Sequence, residues 1–535
     1  MTNPATMSLG ADDLAARTGG IWHGDTATRI SGKITISSIE IDSRLCRENT
    51  LFVALEGAQS DGHDFISAAA AKGAGAAVVR RPEKGAAIAQ LVVDNVVDAL
   101  GALGKAGRAA HKAAGGRLVG ITGSVGKTGS KEMLAHILRR MSVNPAGCHA
   151  NRASFNNHLG VPLTLAALPA APMIAVQEIG MNAVGEISAL SALSIPDIAI
   201  ITRIADSHAG FFNSLAEIAA AKAEIFDGMT TINKDGDGSK TTAILNRDDP
   251  FFDDLAARAR KAGITQIISF GRASDADVRL INVMPTDADD PAPNQNGLNQ
   301  SGPNQSGLHI TAEIAGKPLR FVLGMRAVHW AENAMAVLAA VHALGLDPVQ
   351  AGIELHDFND LPGRGAVSHG VIDGVDVTVI DDSYNAGPAS MQAAFASLAA
   401  SPVQIMVLSD MLELGDGAPA AHAALAPMIG DLAPRLIITL GKQMLHMAGG
   451  LPVNCTHMNL QESNDVVAAL RTNLRSGDTV FIKGSHGSGA WRIAAKLLEI
   501  MENTHPASGS SNSGSSNSGS SNSGSTHAEE APNAA

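Results

Sequence analysis

The chain has 535 residues, 45% of them hydrophobic and 17% charged, enough for roughly two to four domains and at least one sizeable core. Its 39 lysines and arginines against 52 aspartates and glutamates leave a formal charge of −13, which argues against a protein built to neutralise nucleic-acid phosphates, so no nucleic-acid partner is expected. The three cysteines, Cys46, Cys148 and Cys455, have neither metal-site nor redox-motif spacing. The opening MTNPATMSLGADD lacks the basic flank and apolar centre of a signal peptide, and no apolar run reaches the roughly 20 residues of a membrane span. A cytoplasmic α/β protein without a transmembrane segment is expected.

Residues 1–112 read as a first unit. Apolar runs at 51–55 (LFVAL), 76–80 (AAVVR) and 91–95 (LVVDN) predict strands, separated by glycine turns and an alanine-rich helical stretch. SSIEIDSR brings Asp42, Ser43 and Arg44 to a strand end, and Asp61, Gly62 and His63 stand in a turn. On its own, such an arginine is more often a surface residue than a diphosphate ligand.

Residues 113–342 form a second unit. RLVGIT predicts a strand, and KEMLAHILRRM a helix with Met133, Ile137 and Met141 spaced four apart. Further strands are predicted at 173–179, 197–202, 242–246 and 265–272, short apolar runs that suit a mostly parallel sheet covered on both faces. The low-complexity NQ(N/S)G stretch at 285–309 cannot build a core and is expected to be a disordered, dispensable insertion between INV and HITAEI. A third unit over 343–507 offers strands at 375–382, 404–410, 435–441 and 478–484, again with helical stretches between. The serine–glycine–asparagine repeat at 508–535 predicts a flexible tail.

The sharpest chemistry lies behind the strand RLVGIT. Backbone N–H groups of Gly123, Ser124, Val125 and Gly126 can converge on phosphate oxygens, because glycine permits the dihedrals and the close approach. Lys127 can reach β- and γ-phosphates, Thr128 offers a hydroxyl to Mg²⁺, and a following helix adds its dipole. Ile121 stands where the strict phosphate-loop pattern has its first glycine, so the strand–loop–helix context must carry the reading against an incidental glycine loop.

TGSVGKT, FNNHLGVPLTL, EIGMNAVGEI, ADSHAGFF, AKAEIF, LNRDDP, PGR and DDSYNAGP then follow in order. Over residues 30–490 the chain resembles the ATP-dependent Mur ligases of peptidoglycan synthesis. NNHLGVPLTL, DDSYNAGP and SDMLELG favour the branch that joins D-alanyl-D-alanine to UDP-N-acetylmuramoyl-tripeptide. The resemblance implies a three-domain α/β fold. A UDP-sugar-binding N-terminal domain precedes a central ATP-binding phosphate-loop domain with a mostly parallel sheet. A Rossmann-like C-terminal domain closes on ATP and binds the incoming dipeptide. It implies a monomer in which a carboxylate is phosphorylated by ATP and an amine then displaces the phosphate. Rival readings are a sibling ligase adding a diamino acid, a folylpolyglutamate-type ligase, or, from another class, a nucleotide-controlled binding module.

The resemblance also distributes roles. Thr128, Glu178, His208 and Lys222 would hold two Mg²⁺ ions, with Lys222 carbamylated. From the residues alone, Glu178 could be a solvated strand end, His208 a loop histidine, and Lys222 a helix lysine paired with Glu217 or Glu224. Asn157 and His158 would lie near the reacting centre, Asn246 and Asp249 on the base and ribose side of ATP. His329 and Asn333, four apart on one helical face, either orient the adenine or satisfy the helix. Arg364 would clamp the transferring phosphoryl group, with Asp382, Ser383 and Tyr384 also at ATP. Asn385, Lys483 and Ser485 would meet the dipeptide, and Ser43, Arg44, Asp61, Gly62 and His63 the UDP-sugar. Three positions depart from the family pattern: Gly129 replaces a threonine, Gly387 an asparagine, and His486 an arginine.

Overall fold

A computed structural model describes residues 9–23, 34–57, 60–142, 147–152, 154–205, 212, 214–230, 240–286, 307–359, 361–398, 402–453 and 455–504. The chain divides into two compact units, one of Met1–Ala106 with Glu502–Ala535, the other of Gly107–Met501. Among the described residues no helix is long and apolar enough to cross a membrane.

The first unit holds a five-stranded sheet in the order Ile21–His23, Ala89–Val92, Ala76–Val79, Thr50–Val53, Ser38–Glu40. The last four strands are parallel and Ile21–His23 is antiparallel. The run Ala76–Val79 is buried along its whole length, which is why it reads as continuous apolar sequence instead of alternating.

The second unit carries two sheets. In the larger, the order is Lys317–Leu323, Gly307–Ile314, Val278–Thr286, Gln266–Gly271, Thr242–Asn246, Ile198–Ile201, Arg117–Thr122, Ile174–Glu178, Cys148–Ala150. Arg117–Thr122 pairs in parallel with Ile174–Glu178 on one side and Ile198–Ile201 on the other. The chain therefore leaves its first strand in both directions, and the carboxyl ends of these strands are where sheets of this topology bind ligands. Helices Lys127–Met141 and His329–Ala343 cover one face, burying Met133, Ile137, Val337 and Val341 against Val119, Ile121 and Ile244. The other face is covered by Gly160–Ala166, Glu186–Ser194, Leu215–Ala223 and Phe252–Lys261.

The smaller sheet runs Ala366–Ile372, Val375–Asp382, Asp478–Lys483, Ile405–Ser409, Leu436–Leu440, Thr456–Leu460, parallel except for its first strand. Apolar side chains pack on both faces, Val379, Val407 and Ile482 on one, Met406, Leu408 and Phe481 on the other. A further antiparallel pair joins Leu9–Gly10 to Thr35–Ile36, and the α/β layering expected from the sequence is present in the three larger sheets.

Two expectations need adjusting. The insertion expected over 285–309 begins later and ends earlier: Pro285 and Thr286 pair with Leu308 and Gly307 in an antiparallel ladder, and only 287–306 lie outside the described residues. Lys317–Leu323 was not expected as a strand, since KPLRFVL mixes polar with apolar residues. It buries Leu319, Phe321 and Leu323 and leaves Lys317 and Arg320 exposed, the alternation of an antiparallel strand covered on one side. The tail at 508–535 lies outside the described residues.

Candidate active site

The loop Gly123–Gly126 leaves the carboxyl end of strand Arg117–Thr122 and enters helix Lys127–Met141. Gly126 adopts φ +85, a left-handed conformation that favours glycine, and a Cβ there would stand 2.6 Å from Asn333 Oδ1. The loop is tied to the neighbouring strand end: Ser124 N donates to Arg203 O at 2.8 Å, Ser124 Oγ to Ala205 O at 2.8 Å, and Thr202 Oγ1 to Val125 O at 2.5 Å. Lys127 folds back, donating from Nζ to Gly123 O at 2.7 Å and Ser124 O at 3.3 Å. Burial holds the pKa of this ammonium below its ordinary value, Glu178 opposing and Arg364 adding to the shift. The Ser124 N–H, expected to face phosphate, is thus already donated within the protein.

Thr128 and Glu178 come together as expected. Thr128 Oγ1 donates to Glu178 Oε2 at 2.7 Å, and Glu178 is only 1% exposed at the end of its strand. A hydroxyl and a carboxylate oxygen meeting beside a phosphate loop are the hard oxygen donors Mg²⁺ prefers. Glu178 is therefore not a solvated strand end. Its second oxygen, Oε1, accepts from Asn156 Nδ2 at 2.8 Å.

Asn156 was overlooked in favour of its neighbours. Asn157 Oδ1 accepts from Leu159 N at 3.1 Å and Gly160 N at 2.9 Å, so it fastens the start of helix Gly160–Ala166, while His158 is exposed. The doubled asparagine in FNNHLG was the available signal, and only the geometry divides the two roles. His208 lies outside the described residues.

Lys222 is 1% exposed in helix Leu215–Ala223. Burial and the charge of Lys127 push its pKa well below the ordinary lysine value, which favours a neutral amine. The alternative pairing with Glu224 is not what forms. Glu224 accepts from Gly185 N at 2.8 Å and Ser188 N at 3.1 Å, at the start of helix Glu186–Ser194.

Asn246 and Asp249 are both buried and brace the loop after Ile198–Ile201: Asn246 Nδ2 donates to Thr202 O at 3.3 Å, and Asp249 Oδ2 accepts from Ile204 N at 2.7 Å. His329 and Asn333 share the first turns of their helix, with Asn333 beside Gly126. The His329 ring is open to water yet recessed among protein atoms, and burial with the charges of Lys483 and Arg364 pulls its pKa down to about 4. Trp330, between them, lies over Gly129: a Cβ on Gly129 would stand 2.5 Å from the indole. The departure at 129 thus leaves room for an aromatic ring.

From the smaller sheet, the Arg364 guanidinium sits over the Tyr384 ring, 4.2 Å from its centroid. The Tyr384 hydroxyl meets Ser154 Oγ, so the segments that follow strands Cys148–Ala150 and Val375–Asp382 are in contact. Lys483 Nζ donates to Asp382 Oδ2 at 2.7 Å and Asn385 O at 3.0 Å. Burial raises the Asp382 pKa, with Lys483 and Arg364 opposing. Ser383 Oγ donates to Asp381 Oδ1 at 2.5 Å, and Ser485 Oγ to Ala386 O at 3.2 Å. His486 stacks on Trp491 with centroids 5.5 Å apart and contacts Tyr384. Gly387 has open space where a side chain would project, and nothing in the structure explains it.

In the first unit, Asp42 accepts from Arg44 N at 2.9 Å and pairs with its guanidinium at 2.9 Å, at the start of the turn Ser43–Leu45. His63 is buried, with Nδ1 2.6 Å from Asp61 Oδ1 and Nε2 accepting from Arg80 N at 3.1 Å. Gly62 is required because a Cβ would stand 2.6 Å from Leu55 O. Asp61 also binds the Arg81 guanidinium, at 2.5 Å. Glu56, Asp61 and His63 form a cluster with metal-ligand spacing, but these arginine contacts occupy both carboxylates.

Three family patterns match the chain: Mur ligase family, catalytic domain, over residues 35–108; Mur ligase middle domain, over 121–341; and Mur ligase, glutamate ligase domain, over 369–486. The chain is 30% identical over 475 residues to the UDP-N-acetylmuramoyl-tripeptide–D-alanyl-D-alanine ligase of Rickettsia prowazekii, covering 87% of this chain and 97% of the relative. It is 31% identical to the protein of the same name from Bacillus subtilis, over 87% of this chain and 93% of that one. Among solved structures, the UDP-N-acetylmuramoylalanyl-D-glutamyl-2,6-diaminopimelate–D-alanyl-D-alanyl ligase of Acinetobacter baumannii superposes with a TM-score of 0.72 at 28% identity, covering 93% of this chain and all of that one.

Proposed function

The chain belongs to the Mur ligase family, and on that premise we propose that it joins D-alanyl-D-alanine to UDP-N-acetylmuramoyl-tripeptide with conversion of ATP to ADP and phosphate. The family makes it an ATP-dependent amide-forming ligase that needs Mg²⁺. The choice of substrates is supported by relatives of that name matched over nearly their whole length. What carries the chemistry is the meeting of Lys127, Thr128 and Glu178 at the carboxyl end of the large sheet, across a recess from Arg364 and the Asp382–Lys483 pair. We place the reaction in the cytoplasm, carried out by a monomer.

A carboxylate oxygen of the tripeptide attacks the γ-phosphorus of ATP, giving an acyl phosphate and ADP. The amine of the dipeptide attacks the acyl carbon, phosphate departs, and the nitrogen loses a proton. Lys127 turns from the loop carbonyls to the phosphate oxygens, and Arg364 neutralises the phosphoryl group in transfer. Contact between the two sheets of the unit excludes water, which would hydrolyse the acyl phosphate.

Thr128 and Glu178 are the residues that would hold magnesium, which when bound would offset phosphate charge. Lys222 is our candidate for carbamylation. As a neutral amine it would add carbon dioxide and release a proton, turning a nitrogen base into an anionic oxygen donor that would hold a second ion; His208, the other residue expected at that ion, lies outside the described residues. Asn246, Asp249, His329 and Asn333 border the nucleotide, Asn385, Lys483 and Ser485 the dipeptide. Ser43, Arg44, Asp61, Gly62 and His63 border the UDP-sugar. We assign these roles to domains over 1–112, 113–342 and 343–507.

The test is phosphate release with ATP, Mg²⁺ and UDP-N-acetylmuramoyl-tripeptide, with and without D-alanyl-D-alanine, with product masses recorded. Dipeptide-dependent release and a pentapeptide product are expected. Addition of a diamino acid or glutamate in its place would move the chain to a sibling branch, and ligation of no amine would end the ligase reading.

A further inference from the structure

Lys131 lies in helix Lys127–Met141, one turn beyond Lys127 and Thr128, and is fully buried. A buried ammonium is costly unless firmly bonded, so its contacts are informative. It donates from Nζ to Asn151 O at 2.9 Å and pairs with Glu132 Oε1 at 2.6 Å. Asn151 is also buried, and its Oδ1 accepts from Glu178 N at 2.9 Å while its own N donates to Val176 O at 3.3 Å. Glu178 Oε2 in turn accepts from Thr128 Oγ1. The bonds form a closed circuit, Thr128 to Glu178 to Asn151 to Lys131, whose two ends stand three residues apart on one helix.

We propose that Lys131 and Asn151 are positioning residues that hold the Glu178 carboxylate at the cation site beside Thr128. The inference rests on the reading of Thr128 and Glu178 given above. Strand Ile174–Glu178 delivers Glu178 from one side of the loop strand, and helix Lys127–Met141 delivers Thr128 from above it. The segment at Asn151 ties the two elements together, because Lys131 binds its carbonyl while its side chain binds the Glu178 backbone, and Asn156 separately holds the second carboxylate oxygen. Removing a partner that orients a metal ligand lowers metal affinity by about 10–100-fold.

The test uses Mn²⁺ in place of Mg²⁺ on the full chain with ADP, reading free and bound ion by electron paramagnetic resonance, with thermal unfolding recorded in parallel. Lys131→Met and Asn151→Ala are each expected to raise the Mn²⁺ dissociation constant about tenfold. The double variant is expected to raise it no more than the worse single one, because both act through the same link. Multiplication of the two effects, or variants that melt earlier but bind Mn²⁺ as the parent does, would reduce these residues to structural roles and overturn the proposal. Should Lys131→Met fail to fold, Asn151→Ala decides alone: unchanged Mn²⁺ binding overturns the proposal. A parent chain that binds no Mn²⁺ with ADP would instead remove the cation site itself.

Discussion

Lys127 is held by two loop carbonyls, so its ammonium exchanges one set of oxygens for another when nucleotide arrives. Its contribution belongs to the charged phosphoryl group in transfer. Lys127→Met should lower kcat about 100-fold or more while the folded chain melts within a degree or two of the parent, measured by product formation and by calorimetry. Gly129 shows the opposite kind of constraint. A Cβ there would press on the Trp330 indole at 2.5 Å, and a β-branched side chain would press harder. Gly129→Thr should cost about 1–3 kcal/mol in urea unfolding, and adding Trp330→Ala should recover part of that loss, since the cost is one of overpacking. The two asparagines of FNNHLG separate in the same way. Asn157→Ala removes a helix cap and should cost about 1 kcal/mol of stability with kcat retained. The neighbouring Asn156 touches the Glu178 carboxylate, so its loss belongs with the cation site.

At the scale of an element, Arg108 and His111 tie the segment Gly107–Ala113 into the second unit. The Arg108 guanidinium donates to Ser194 O at 2.8 Å, Ile195 O at 2.8 Å and Asp197 Oδ2 at 2.9 Å, and Asp197 also accepts from Leu118 N at 2.7 Å. His111 is fully buried against Arg108, and burial, then the arginine charge, pull its pKa down to about 4 from 6.5. The fold thus holds this imidazole neutral while the unfolded chain protonates it. Stability should therefore fall as pH drops from about 6.5 towards 4 and level off below, by on the order of a few kcal/mol for this one group. Comparing urea midpoints of the parent and His111→Asn across that window isolates the contribution of His111, because the other histidines with lowered pKa, His149, His329, His422 and His457, remain in both. A parallel decline in the two chains would show that His111 contributes nothing to it.

For the whole molecule, the long low-complexity stretch interrupts a ladder that closes without it. Thr286 faces Gly307 across an antiparallel pair, so the two strands can be joined by a tight turn. Replacing 287–306 with Asn-Gly should leave ligase activity within about twofold and the melting temperature unchanged or slightly raised, since a shorter loop loses less entropy on folding. A large loss of activity would show that the stretch contributes to the enzyme.

Local sequence determined the positions of the central strands in the three larger sheets, because buried parallel strands are continuous apolar runs whose cause is local, while the edge strands Ile21–His23, Cys148–Ala150, Ala366–Ile372 and Thr456–Leu460 carry no such run and were not expected. It also determined the phosphate loop, where glycine, lysine and threonine have to be contiguous for backbone N–H groups, ammonium and hydroxyl to face one ligand. Strand Lys317–Leu323 was hidden because its signal is alternation covered on one face. The division of labour between Asn156 and Asn157, the burial of Lys222 and the circuit through Lys131 were decided by tertiary structure alone. Each depends on which residue, distant in sequence, stands within about 3 Å of a polar atom, and on how completely the surrounding fold excludes water.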